Sequence, residues 1–250
     1  MKFQIEYKNK LVSDIQELIS CFPKSEFDSP YRSTVPLLTY WKEPNKSLIA
    51  FSNLIGFSEI SNTKLSFEHC IYSPKGKGRP SQTDLMILND KNAIAIEAKY
   101  TEPPYETTAT WLGDSLNKKT VLEGWIDLLN SANRKKNVEI QDVLELPYQI
   151  VHRCASVCYF KESKKYLIYQ CFSLDYLKTE YYRTCLATLK QLLDSSIDFV
   201  LINVPIERGS ELNKLQQKWD AGERKMYDQV FSNIQKSNFI EFGQPDVMLI

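Results

Sequence analysis

Three runs in the middle of the chain have the apolar patterning and β-branched or aromatic content of strands: residues 64–73 (KLSFEHCIYS), 82–88 and 93–100. A basic stretch at 74–80 (PKGKGRP) reads as the turn between the first two, and Asn89-Asp90-Lys91-Asn92 joins the second to the third. Further strands are predicted at 165–172 (KYLIYQCF) and 197–204 (IDFVLINV). Helical spacing of apolar residues predicts helices over 46–57, 109–130, 145–160, 175–193 and 212–235, with a polar Lys/Asn-rich connection around 133–137. Leu11, Ile15, Leu18 and Ile19 have the same spacing before Pro23 and make residues 1–45 a helical lead-in. The expected order is α-β-β-β-α-α-β-α-β-α in one domain over 1–250, with a core at 46–172 and a C-terminal α/β extension at 173–250.

The tight link between the second and third strands fixes their register. Whether the loop holds two residues or four, paired positions sum to 181, which sets Asp84 opposite Glu97. Cβ atoms so placed lie about 5 Å apart. Residues two apart on a strand share a face, so Lys99 stands beside Glu97. Opposed carboxylates repel across a hairpin. A hard divalent cation such as Mg²⁺ resolves that repulsion, because it prefers carboxylate oxygens and takes its remaining ligands from water and phosphate. Lys99 could orient or deprotonate an attacking water or stabilise charge developing on phosphate. The implied chemistry is metal-assisted phosphodiester hydrolysis. Leu85, Ile87, Ile94 and Ile96 on one face, and Met86, Leu88, Ala93 and Ala95 on the other, predict a strand pair buried on both sides.

Composition narrows the class. Charges cancel, 31 Lys and Arg against 31 Asp and Glu, and 43% of residues are hydrophobic, which excludes collagen-like, mucin-like and extensively disordered chains. Eight glycines are present, where average usage gives about 17, and neither glycine-rich phosphate-loop pattern occurs. Charges within the first ten residues argue against a secretory signal, and the longest uncharged apolar stretch, 47–58, is far short of the roughly 20 residues a bilayer needs. A cytoplasmic protein that does not engage a membrane is expected. Six scattered cysteines read as reduced thiols. With no net charge, nucleic-acid binding would rest on a local basic patch and a metal.

Ser81-Gln82-Thr83-Asp84-Leu85-Met86-Ile87, a hairpin, and then Ile96-Glu97-Ala98-Lys99 together resemble the PD-(D/E)xK nuclease superfamily, the restriction-endonuclease-like proteins. The family motif sets an Asp on one strand and Glu-x-Lys on the next in an αβββαβ core, an order that 46–172 follows. Thr83 stands where the family has Pro, which removes no metal ligand. The resemblance implies a mixed central sheet flanked by helices and a metal-dependent nuclease, with DNA as partner and Mg²⁺ or Mn²⁺ as cofactor. A homodimer would allow both strands to be cut. Asp84, Glu97 and the Ala98 carbonyl would hold the metal, and Lys99 would act on the attacking water. The family often adds an upstream acid from the first core helix, yet 46–57 contains none. Glu59 and Glu68 are the substitutes, with Glu68 preferred because its strand should adjoin that of Asp84. Gln149 would support the metal site or contact phosphate, and Arg153, four residues on, could bind phosphate bidentately.

The basic loop residues Lys75, Lys77 and Arg79 are candidate phosphate contacts, against the plainer reading of a mobile hairpin tip. Trp111 and Tyr105 are candidates for stacking on bases. His69 and His152 read as partly buried histidines rather than ligands, and Cys154 and Cys158 as buried hydrophobes. The alternative to a nuclease is a nuclease-like module that no longer cuts and binds nucleic acid or protein. An unrelated scaffold with an accidental motif would leave Asp84 and Glu97 far apart.

Overall fold

The computed structural model describes residues 3–57, 61–133, 137–161, 164–193, 197–207, 209–236 and 239–250. Strands β1 (Phe3–Tyr7) and β2 (Lys10–Val12) open it, joined by Lys8 and Asn9, both at positive φ, the two-residue turn whose twist suits a hairpin. Helices α1 (Ile15–Cys21), α2 (Thr34–Tyr40) and α3 (Pro44–Ile55) follow. The Asp14 side chain caps α1, and α3 runs from a first-turn proline to a left-handed Gly56. β3 (Thr63–Ile71), β4 (Ser81–Leu88) and β5 (Asn92–Lys99) form an antiparallel meander. Helices α4 (Thr108–Leu112), α5 (Leu116–Ala132) and α6 (Tyr148–Cys158) cross over to β6 (Lys164–Phe172), and α7 (Tyr176–Leu192), capped by Asp175, crosses to β7 (Ile197–Val204). The chain closes with β8 (Ile206–Glu207), α8 (Ser210–Asp220), α9 (Tyr227–Ile234), β9 (Glu241–Phe242) and β10 (Asp246–Leu249).

Eight strands make one mixed sheet in the order β10-β7-β6-β5-β4-β3-β1-β2, while β8 and β9 form a separate ribbon. β5, β6 and β7 run parallel, as parallel neighbours joined by helical crossovers do, and β1 is parallel to β3. One core gathers Leu65, Phe67, Leu85, Ile87, Ile94 and Ile96 against residues of α1, α2, α3, α8 and α9. The other packs Met86, Ala93 and Ala95 against α5, α6 and α7. Every residue of β5 is buried, as a central strand covered on both faces requires. Among the described residues no helix is long and apolar enough to cross a membrane.

The hairpin register agrees with expectation: Leu85↔Ile96, Met86↔Ala95, Ile87↔Ile94 and Leu88↔Ala93. Asp90 and Lys91 form its tip, and the Asn89 side chain accepts from the Lys91 and Asn92 amides at 3.0 and 2.8 Å. Other expectations need correction. The lead-in is not all helical, because Phe3, Ile5 and Tyr7 alternate with polar residues and pair with β3. The helix expected over 109–130 divides into α4 and α5 at Gly113, whose φ is 48°, with the Ser115 side chain capping the second piece. That expected over 212–235 divides at Gly222 and Lys225, both at positive φ. β10, an edge strand on β7, was not anticipated. Residues 134–136 of the polar connection lie outside the described residues.

The loop at 74–80 is docked on α5. Ser73 Oγ donates to the Val121 carbonyl at 2.8 Å, and Asn117 both accepts from the Lys77 amide and donates to its carbonyl. Close approach needs two glycines: a Cβ at Gly76 would lie 2.6 Å from Val121 Cγ2, and one at Gly124 would lie 2.8 Å from the Lys75 nitrogen and nearer still to Ser73 Oγ. Gly124→Ala should therefore cost about 2 kcal/mol and lower Tm by about 4–8 °C in a thermal melt followed by circular dichroism. An unchanged Tm would contradict the docking.

Candidate active site

The ladder between β4 and β5 ends at Leu85↔Ile96, and the catalytic candidates lie just past it. Asp84 turns its Oδ2 to accept from the Ala98 amide at 2.7 Å. Glu97 and Lys99, two apart on β5, share a face and meet at 3.0 Å. Helix α6 completes the group. Its residues Gln149 and Arg153 lie one turn apart and face β5. Gln149 donates to Glu97 Oε1 at 2.6 Å and accepts from Lys99 Nζ at 2.7 Å, while Arg153 Nε donates to Glu97 Oε2 at 2.5 Å. Glu97 is 2% exposed, so a carboxylate removed from water is held by two cations and an amide.

A third acid joins this pair. Phe67↔Leu85 and His69↔Thr83 bracket a skipped rung at which Glu68 of β3 stands opposite Asp84. Glu68, Asp84 and Glu97 thus fall in one row across three adjacent strands. Glu68 has φ 50°, a left-handed backbone that glutamate adopts only under tertiary constraint. Face alternation breaks there, because Leu65 and Phe67 enter one core and Ile71 enters the other. Glu59, the other upstream acid considered, lies outside the described residues.

Charges in the row are unevenly held. Burial, then the Glu97 carboxylate, push Asp84 well above the usual carboxylate range, with Arg153 opposing. Burial pushes Glu68 up to about 7. For Glu97 burial acts upward too, but Arg153 and Lys99 more than reverse it and hold it below its ordinary value. Burial disfavours the Lys99 ammonium, yet Glu97 and Asp84 keep it above its ordinary range. Among the described residues no group of three His, Cys, Asp or Glu side chains is placed to hold a metal as they stand.

The expected substrate ligands divide. Arg153 is turned inward, ion-paired to Glu97 and bonded through Nη1 to Ser81 Oγ at 2.8 Å. Lys75 is paired with Asp127 at 2.7 Å. Lys77 and Arg79 line a cavity of about 390 Å³ beside the site. Tyr105 sets its ring 5.5 Å from Lys99 Nζ, and Trp111 stacks on Tyr148. Sequence reasoning missed Ser81, whose hydroxyl joins Arg153 to His152 Nδ1. Missing too were Tyr169 and Tyr182, whose buried hydroxyls have no hydrogen-bond partner among the described residues. Tyr169 is the β6 neighbour of Glu97; that pairing joins segments over 70 residues apart and has no local signal. Cys154 and Cys158 are buried and His152 is partly buried, as expected, and burial, then Arg153, hold His152 well below its ordinary value.

Two substitutions test the strain in the row. A folded-state value above the unfolded one means that Asp84 stabilises fully below about pH 3.9, and that this stability is lost as pH rises through the folded value. Asp84→Asn keeps an acceptor for the Ala98 amide, so in EDTA at pH 8 it should melt above wild type by about 2–4 °C, with the gap closing by pH 4. A lower Tm at pH 8 would show that the ionised Asp84 is not a burden. Glu68→Gly frees the left-handed backbone, worth about 1–2 kcal/mol, and should also raise Tm; a fall would mean that its side chain is a net support.

Compared with curated proteins and with solved structures, the chain matches none. A family profile matches residues 10–206, well over half its length, so the chain belongs to the family described as Domain of unknown function (DUF6946).

Proposed function

We propose that this protein is a divalent-cation-dependent nuclease of the PD-(D/E)xK type that hydrolyses phosphodiester bonds in DNA. The observation carrying this reading is the convergence, past the end of the β4/β5 ladder, of Asp84 with a buried Glu97–Lys99 pair to which Gln149 of α6 is bonded. The succession α3, β3, β4, β5, α6, β6, with neighbouring strands in chain order, supports a restriction-endonuclease-like αβββαβ core.

The donor set suits Mg²⁺ or Mn²⁺. Asp84 Oδ1 has no hydrogen bond among the described residues while Oδ2 is anchored, and the Glu97 charge beside it is what a hard cation would offset. Asp84, Glu97 and the Ala98 carbonyl would hold the ion, with Glu68 on the adjacent strand; Glu97 would exchange one present partner for it. The chemistry the ion supplies when bound is Lewis-acid stabilisation of charge on the scissile phosphate. Lys99 stays an ammonium, so it orients the attacking water and donates to developing negative charge instead of taking a proton. Gln149 fixes Lys99 and Glu97 relative to each other, and Arg153 keeps Glu97 ionised.

A second reading, a nucleic-acid-binding module that does not cut, is favoured by one observation: both Glu97 oxygens are already engaged. Cleavage of supercoiled, linear and single-stranded DNA in Mg²⁺, Mn²⁺ or EDTA separates the two. Wild type should cut with metal only, and Lys99→Ala should lose about 10²–10⁴-fold. Glu97→Gln, which leaves Arg153 partly satisfied, should lose as much. Melting curves of each variant guard against simple unfolding, because removing one partner of a buried pair costs about 3–5 kcal/mol. Absence of cutting from folded wild type on all three substrates would move the assignment to the non-cutting module.

A further inference from the structure

We infer that the cavity beside the carboxylates is a receptor for one unpaired nucleotide, which makes single-stranded or locally unpaired DNA the substrate class; this rests on the nuclease reading above. The cavity, about 390 Å³, lies between the docked basic loop and helices α4, α5 and α6, a volume in the range of small-ligand pockets and far too small for a duplex. Its lining separates into two chemistries. On the rim, Lys77 and Arg79 have exposed side chains with no ion pair or hydrogen bond among the described residues, while the backbone of Lys77 is fixed by Asn117. Within, Trp111 stacks on Tyr148 with ring centroids 3.6 Å apart and planes 7° apart, and Tyr148 meets the His152 ring at 4.7 Å. Among the described residues no acidic side chain lines it.

Cations on the rim with an aromatic stack within suit a phosphate and its base. Every base has a face that can stack, but a base within a duplex already stacks on its neighbours and reaches a pocket only when unpaired or extruded. The cavity also abuts the carboxylates through one layer of side chains. His152, in its wall, contacts Ser81 Oγ at 2.8 Å and Arg153 Nη1 at 3.2 Å, and Arg153 reaches Glu97. Arginine only donates, so His152 Nδ1 is the acceptor and Nε2 carries the ring proton.

The test uses full-length protein in EDTA, which prevents cutting, and a single-stranded oligonucleotide containing 2-aminopurine, whose fluorescence falls when the base stacks. Wild type should bind and quench it, and should bind the same sequence as a perfect duplex at least tenfold more weakly. Trp111→Ala should lose the quench and about tenfold in affinity, in keeping with a stacked base. Lys77→Ala with Arg79→Ala should make the slope of log affinity against log salt shallower by about 1.4, two single-strand phosphate contacts. If Trp111→Ala does not fold, the exposed loop pair and Trp111→Phe, which keeps a ring, carry the test. Quenching and salt slope that match wild type in these variants overturn the pocket, as does a duplex bound as tightly as the single strand. Parallel Mn²⁺ digests separate the two proposals. Metal-dependent cutting with unaltered pocket variants sinks only the pocket, whereas the expected quenching without cutting sinks the nuclease and supports the pocket.

Discussion

Glu97 is an ionised carboxylate inside a sheet covered on both faces, and moving such a group out of water costs several kcal/mol unless partners replace the solvent. The fold supplies them from two elements. Lys99 comes from the same strand two residues on, and Gln149 and Arg153 come from successive turns of α6. This requirement explains why α6 is buried nearly all round rather than along one stripe. Apolar residues of similar volume would give such a core equal or greater stability. A net of four polar side chains at this depth is therefore a poor device for holding the sheet together.

Strain collects in the same place. Asp84 and Glu68 are carboxyls that the fold pushes toward the neutral form, and Glu68 also holds a left-handed backbone within a strand. Two continuous cores, one on each face of the eight-stranded sheet, offset these local penalties. The left-handed residue has a further effect, because it reverses which face the rest of β3 presents. Ile71 consequently joins the core that contains α5 and α6, on the side where the basic loop is docked.

Local signals in the sequence reached the hairpin and its charged end. Asn89-Asp90-Lys91-Asn92 leaves so little slack that either loop length gives one register, and the observed pairs keep it. The apolar runs of β5, β6 and β7 were equally plain, since strands buried on both faces do not alternate. What escaped depends on distant contacts or on competing periods. Phe3, Ile5 and Tyr7 alternate, but the helical spacing from Leu11 to Ile19 dominated the same window. A glutamate gives no warning that it will sit at positive φ, unlike the glycines at 113 and 222 that divide two helices. Docking of the basic loop depends on Gly76 meeting Val121 and Gly124 meeting Ser73 and Lys75, matches between segments 45 to 51 residues apart. The direction of Arg153 was open for the same reason, because facing β5 does not say whether Glu97 or a phosphate satisfies it.

The carboxylate site and the cavity share α6. Tyr148 and His152 belong to the cavity wall, while Gln149 and Arg153, each one residue further along, belong to the carboxylates. One helix thus fixes the cavity wall relative to the carboxylates. On the nuclease reading, a base seated against Trp111 and Tyr148 would hold its strand at a set place relative to Lys99, so the position of the unpaired nucleotide, rather than a recognised sequence, would select the bond that is cut.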